Sequence, residues 1–136
     1  MKNTLIMSLL VVVQVSVMQG KANSSVFQAS IDQALIAAVW KNNWKRVEGL
    51  IDEGANINYS NGIPPSTALM GAAYCGYTEV AKVLIKKLKR KKMKINFTGS
   101  NELTPVQWAQ YQMKQPGIQP ANYKAIIKLI QEAEPQ

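Results

Sequence analysis

A segment of the chain recurs at a period of 34 residues. Residues 35–39 (LIAAV) align with residues 69–73 (LMGAA), and residues 47–51 (VEGLI) align with residues 81–85 (AKVLI) at the same offset. A third copy begins near Thr104, after a slightly longer interval. This period is typical of solenoids, in which each repeat is one supersecondary unit that buries its apolar face only by stacking on its neighbours.

Each copy has the apolar spacing of two successive helices. Ser30 followed by Gln33 predicts a capping box at the start of the first helix, and Thr104 before Pro105 predicts an N-cap and a first helical residue. Gly54 suits the left-handed turn that follows a helix. The sequence therefore predicts six main helices in an all-α fold with no extended sheet.

Two segments resemble the ankyrin repeat, which opens with a Thr-Pro-Leu-His-x-Ala signature. They are residues 67–80 (TALMGAAYCGYTEV) and residues 47–58 (VEGLIDEGANIN). The resemblance implies a solenoid of about three helix-turn-helix repeats with hairpin loops over residues 31–134, with repeats at about 31–60, 61–98 and 99–134. Two departures are that Met70 and Gln107 replace the signature His, and that the second repeat lacks a Gly-Ala ending.

The first residues have the order of a secretory leader. Lys2 precedes an apolar run from Leu5 to Val17, and small residues surround Lys21. We expect a signal peptide at residues 1–22, an N-terminal extension at 23–30, and a periplasmic or secreted location. The alternative is a retained anchor, although the run is shorter than the ~20 residues that span a bilayer.

The composition argues against catalysis. The chain has no histidine, the commonest general base, and it has neither a metal-ligand spacing nor a glycine-rich phosphate loop. Cys75, the single cysteine, has no histidine to activate its thiol. We therefore expect no enzyme activity, no catalytic residue, no cofactor and no metal.

Large aromatic residues recur five positions after Leu35, Leu69 and Val106. In the ankyrin family this position lies near the end of the inner helix, faces the concave groove and, with the hairpin tips, contacts partners. The alternative is that the rings only stack on one another to close a short solenoid. The resemblance implies a partner-binding surface made of Trp40, Lys41, Tyr74, Cys75, Tyr111 and Gln112 with Ile63, Pro64, Ser66, Asn101 and Leu103 from the tips.

The densest charge feature is a basic run between residues 86 and 94. It could bind nucleic acid, anionic lipid or an acidic protein, or it could be the solvated end of a lengthened helix. The absence of interleaved aromatic residues argues against nucleic acid. The candidate basic patch consists of Lys86, Lys87, Lys89, Arg90, Lys91, Lys92 and Lys94.

These features favour an exported protein–protein interaction module that is monomeric until it meets its partner. The formal net charge of +8 suggests an acidic protein partner. Such a module would neutralise a toxin or act as a host-directed effector. The alternative function is a membrane-surface or envelope-associated protein that makes peripheral contact with anionic lipid through residues 86–94.

Overall fold

The computed structural model of the chain describes residues 20–98 and 102–134, with side chains from residue 24 onwards. Backbone contacts divide the chain into two units, with the boundary between Ser30 and Ile31. The described residues form six helices and no strand, which confirms the predicted all-α fold. The helices are α1 (Gly20–Trp40), α2 (Trp44–Asp52), α3 (Ala68–Cys75), α4 (Thr78–Arg90), α5 (Pro105–Met113) and α6 (Ala121–Ala133).

The helices of the second unit form two layers. In the outer layer α4 packs between α2 and α6, and in the inner layer α3 packs against α5 and, through Gly71, against Val39 of α1. The core between the layers is filled by apolar side chains such as Leu35, Leu50 and Leu84, which are fully buried. Burying each of them stabilises the fold by about 1.5–3 kcal/mol.

Four of the helices end in the same left-handed turn. The backbone φ is positive at Asn42, Gly54, Gly76 and Lys92. In each turn the next N–H donates to a carbonyl five residues back, as Tyr77 does to Ala72 at 3.0 Å. Gly54 has the predicted role, whereas Asn42 and Lys92 adopt a backbone conformation that residues other than glycine take much less often.

Hydroxyl side chains cap two of the inner helices. Thr104 accepts from the backbone N–H of Gln107, whose side chain accepts from the Thr104 N–H, and Pro105 is the first helical residue, as predicted. Thr67 caps α3 in the same way without the return bond. The predicted start of α1 at Ser30 is wrong, because the helix already begins at Gly20 and no proline interrupts it upstream.

None of the helices within the described range is long and apolar enough to cross a membrane. The predicted leader lies largely outside these residues. The part of α1 that precedes Ile31 has two exposed apolar side chains, Val26 and Phe27.

Candidate functional site

Four aromatic rings form a continuous row along the inner layer. The centroid distances are 6.1 Å from Trp40 to Tyr74, 5.5 Å from Tyr74 to Trp108 and 6.0 Å from Trp108 to Tyr111. All three pairs have the edge-on geometry that aromatic rings prefer, which stabilises each by about 0.5–1.5 kcal/mol beyond buried area. We call these four residues the aromatic row.

Trp108 is the member of the row that the sequence did not identify. It lies two residues after Val106, at the repeat position occupied by Gly71 in the second repeat. A Cβ at Gly71 would lie 4.0 Å from the Trp40 ring, so that position faces the aromatic residue of the preceding repeat. In the third repeat a tryptophan replaces the glycine and places a ring against Tyr74. A glycine in the second repeat and a tryptophan at the same position of the third repeat form the sequence signal that could have identified Trp108 as part of the row.

The two ends of the row are more exposed than its middle. Trp40 is 42% exposed and Tyr111 is 49% exposed, whereas Tyr74 and Trp108 are half-buried. The backbone carbonyl of Tyr74 also accepts a hydrogen bond from Gln112 Nε2 at 3.0 Å. The middle of the row therefore contributes to packing, as in the stacking alternative, while the ends present free ring surface to solvent.

A groove of about 450 Å³ connects the Trp40 end of the row with the first hairpin tip, residues 58–66. Ile63, 72% exposed at the tip, faces Trp40 across it. Ala37 is exposed and forms part of the wall. The groove is lined by Gln33, Ile36, Ala37, Trp40, Tyr59, Asn61 and Ile63.

The tip is fixed to the repeats by buried polar contacts. Asp32 Oδ1 accepts from the backbone N–H of Asn56 at 2.7 Å. Ser66 was predicted to contact a partner, but it is fully buried and its hydroxyl donates to Glu102 Oε2, so it supports the tip from within. Pro64 is exposed, as a contact residue requires.

The other predicted contact residues occupy different environments. Lys41 and Leu103 are exposed, whereas Gln112 is held by its hydrogen bond to the Tyr74 carbonyl. Asn101 lies outside the described residues. The structure therefore brings together Trp40, Tyr74, Tyr111 and Ile63 and withdraws Ser66 from the exposed surface.

Cys75 does not lie in the groove beside Trp40. It is half-buried at the corner between α3 and α4, where it lines a separate cavity of about 680 Å³ with Trp44 and Tyr77. Burial raises the pKa of its thiol, and a hydrogen bond with Tyr77 offsets this only in part. The thiol is therefore protonated at neutral pH and a weak nucleophile.

The basic run divides into one buried and six exposed cations. Lys87 was predicted to belong to the basic patch, but it is buried and donates to Asp52 Oδ1 at 2.6 Å, with Glu48 at 4.0 Å. It turns inward because its position in α4 faces α2. The pKa of the Asp52 carboxyl is lowered, chiefly by the hydrogen bond from Lys87. The exposed cations are Lys86, Lys89, Arg90, Lys91, Lys92 and Lys94.

Within residues 20–98 and 102–134, no group of three His, Cys, Asp or Glu side chains is placed to hold a metal ion. A family model described as ankyrin repeats, in three copies, matches residues 35–133. No curated protein matches the chain. The matched range includes the whole aromatic row and the groove residues from Ile36 onwards.

Proposed function

Since the chain belongs to the ankyrin-repeat family, whose repeats are generally non-catalytic protein–protein interaction modules, we propose that it binds a protein partner with the exposed side of its inner layer. The contact surface is the aromatic row together with the groove at the first hairpin tip. In this proposal the protein is not an enzyme, and it is a monomer until the partner binds.

The observation that best supports this surface is the unequal exposure of the row. Trp40 and Tyr111 present free ring surface, and the packed rings of Tyr74 and Trp108 hold them in place. Aromatic residues dominate binding hot spots, and side chains that are already fixed lose little conformational entropy on binding. The groove between Trp40 and Ile63 is wide enough to accept an apolar side chain of the partner.

The charges beside the row favour an acidic partner. Lys41 follows α1 and Lys114 follows α5, and both are exposed. The acidic residue of the described inner helices, Asp32, is buried and accepts a hydrogen bond from Asn56. A partner with an apolar centre flanked by carboxylates would match this pattern and would be steered toward it by the opposite charge.

The leader pattern in residues 1–22 supports export, and we place the protein in the periplasm or outside the cell. In that compartment a small binding module would neutralise a toxin or act as a host-directed effector. Toxin neutralisation requires a stable one-to-one complex, which makes it the more easily tested of the two roles.

The test is to capture partners with the chain lacking the expected leader (residues 23–136), identify the captured protein and measure its affinity for purified variants. Trp40→Ala combined with Tyr111→Ala should weaken binding at least about 100-fold, since each hot-spot truncation costs roughly 2 kcal/mol or more. Trp44→Ala is the matched control, because Trp44 is 38% exposed but lies outside the row. Its affinity should stay within about 3-fold of wild type.

Circular dichroism keeps folding and binding apart in this experiment. The double variant should keep its helical signal, because both rings are substantially exposed. An unchanged affinity in a folded double variant would refute the proposed surface. Recovery of nucleic acid or lipid alone would refute the protein-binding function.

A further inference from the structure

The surplus positive charge of the molecule is concentrated at the end of α4. All eight acidic side chains of the chain are engaged within the molecule. Five form ion pairs, namely Glu48, Asp52, Glu53, Glu79 and Glu132. Three accept hydrogen bonds, namely Asp32, Glu102 and Glu134.

The exposed cations at this end of α4 have no such partner among the described residues. We call them the basic turn, and it consists of Lys86, Lys89, Arg90, Lys91, Lys92 and Lys94. None of the six forms an ion pair, whereas Arg46, Lys82 and Lys128 on the same outer layer each do. Four other exposed lysines also form no ion pair, but they are dispersed along the chain, namely Lys41, Lys45, Lys114 and Lys124. The basic turn is therefore the largest group of unpaired cations within the described residues, and it is distinct from the surface proposed for the protein partner.

The basic turn is held in a fixed conformation. Leu88 and Ile95 are buried on either side of its centre, and Lys87 is held by Asp52. The carbonyls of Lys87, Leu88 and Lys89 already accept backbone hydrogen bonds from the following turn. The charged side chains are thus not needed to cap the helix, and they project from a rigid base.

We propose that the basic turn docks the protein onto an anionic membrane surface. Five of the six cations are lysines, which act as hydrated point charges and lack the planar fork with which arginine binds a single carboxylate. The headgroups of an anionic lipid surface can neutralise all six cations at once, and each cation near the surface strengthens binding by about 5-fold.

Two features favour lipid over the other anionic partners. The basic turn contains no aromatic side chain on which bases could stack. Lys86 and Lys89 also line a groove of about 320 Å³ between α4 and α6, whose wall includes Ile85, Leu129 and Ala133. Lysines beside apolar side chains suit an amphiphile better than a nucleic acid backbone.

The experiment measures co-sedimentation of the full chain with vesicles of phosphatidylcholine alone or mixed equally with phosphatidylglycerol. Wild type should bind the anionic vesicles and dissociate at about 1 M salt, where the screening length falls to roughly 3 Å. Changing Lys86, Lys89, Arg90 and Lys91 to Gln should lower the partition coefficient at least about 100-fold. Glutamine keeps a good helix propensity, and circular dichroism checks the fold.

The matched control removes the same charge elsewhere by changing Lys41, Lys45, Lys114 and Lys124 to Gln, all of which are exposed and form no ion pair. It should lower the partition coefficient by less than about 10-fold, since these cations lie outside the basic turn. Three results would overturn the proposal. They are equal binding to neutral vesicles, an equal loss in the control variant, and tighter binding of the basic turn to duplex DNA than to anionic vesicles.

Discussion

The aromatic row and the basic turn are both exposed surfaces, but they are built in opposite ways. Each ring of the row contacts another ring, so the row joins all three repeats through Trp40, Tyr74 and Trp108. The cations of the basic turn form no ion pair within the described residues. Substitutions in the middle of the row should therefore affect folding as well as binding, whereas substitutions of the exposed cations to Gln should change mainly the surface charge.

The largest effect should come from the middle of the row. Trp108→Ala should lower the free energy of unfolding by about 3 kcal/mol, because it leaves a cavity between Tyr74 and Tyr111. Denaturant unfolding measures this. Trp44→Ala, the exposed control, should cost less than about 1 kcal/mol. Equal losses of unfolding free energy in the two variants would mean that the row does not contribute to packing.

The next largest effect on stability should come from Lys87, the buried cation between residues 86 and 94. Lys87→Gln should lower the free energy of unfolding by about 1–2 kcal/mol, because it removes an ion pair buried on the lysine side. Lys86→Gln, one residue away and exposed, should change it by less than about 0.5 kcal/mol. Equal losses of unfolding free energy in the two variants, measured by denaturant unfolding, would show that Lys87 is solvated like the other cations of the run.

The same ion pair predicts a pH dependence. Lys87 lowers the folded-state pKa of Asp52. The stabilisation that the ion pair gives the fold is therefore fully present above the unfolded carboxyl pKa of about 4, and it is lost as pH falls through the lowered pKa. Asp52→Asn should therefore lower the unfolding temperature at pH 7, and the difference from wild type should close in acid. A difference that stays constant down to pH 2 would contradict the pairing.

The smallest effect concerns the backbone of the basic turn. Lys92 has φ of 55°, a left-handed conformation that glycine adopts without strain. Lys92→Gly should raise the free energy of unfolding by roughly 0.5–1 kcal/mol, and Lys92→Ala should not. Destabilisation by glycine in thermal unfolding would mean that the lysine side chain contributes a contact to the turn.

The repeat period was sufficient to predict the layers, because the same buried positions recur in each copy. Gly54 and Thr104 were predicted from local signals, a glycine after a helix and a hydroxyl before a proline, and both have the predicted roles. The start of α1 was not predictable, since a capping pattern at Ser30 is meaningful only where the preceding residues are not helical. The repeat period thus predicted the layers, and local signals predicted two helix ends but not the start of α1.

The candidate site was predicted only in part, because alignment gives the register of a residue and not its surroundings. Trp40, Tyr74 and Tyr111 were found by register, but Trp108 required knowledge of which positions face the neighbouring repeat. The burial of Ser66 depends on Glu102, which lies 36 residues away in the sequence. Similarly, the burial of Lys87 depends on Asp52, 35 residues away.

The most direct test of the binding surface uses the three tryptophans as separate probes. Fluorotryptophan labelling gives one ¹⁹F resonance each for Trp40 in the row, Trp108 within its packed centre and Trp44 outside it. Titration with the purified partner should shift the Trp40 resonance strongly and leave Trp44 unchanged. A shift at Trp44 with no change at Trp40 would contradict binding through the inner layer.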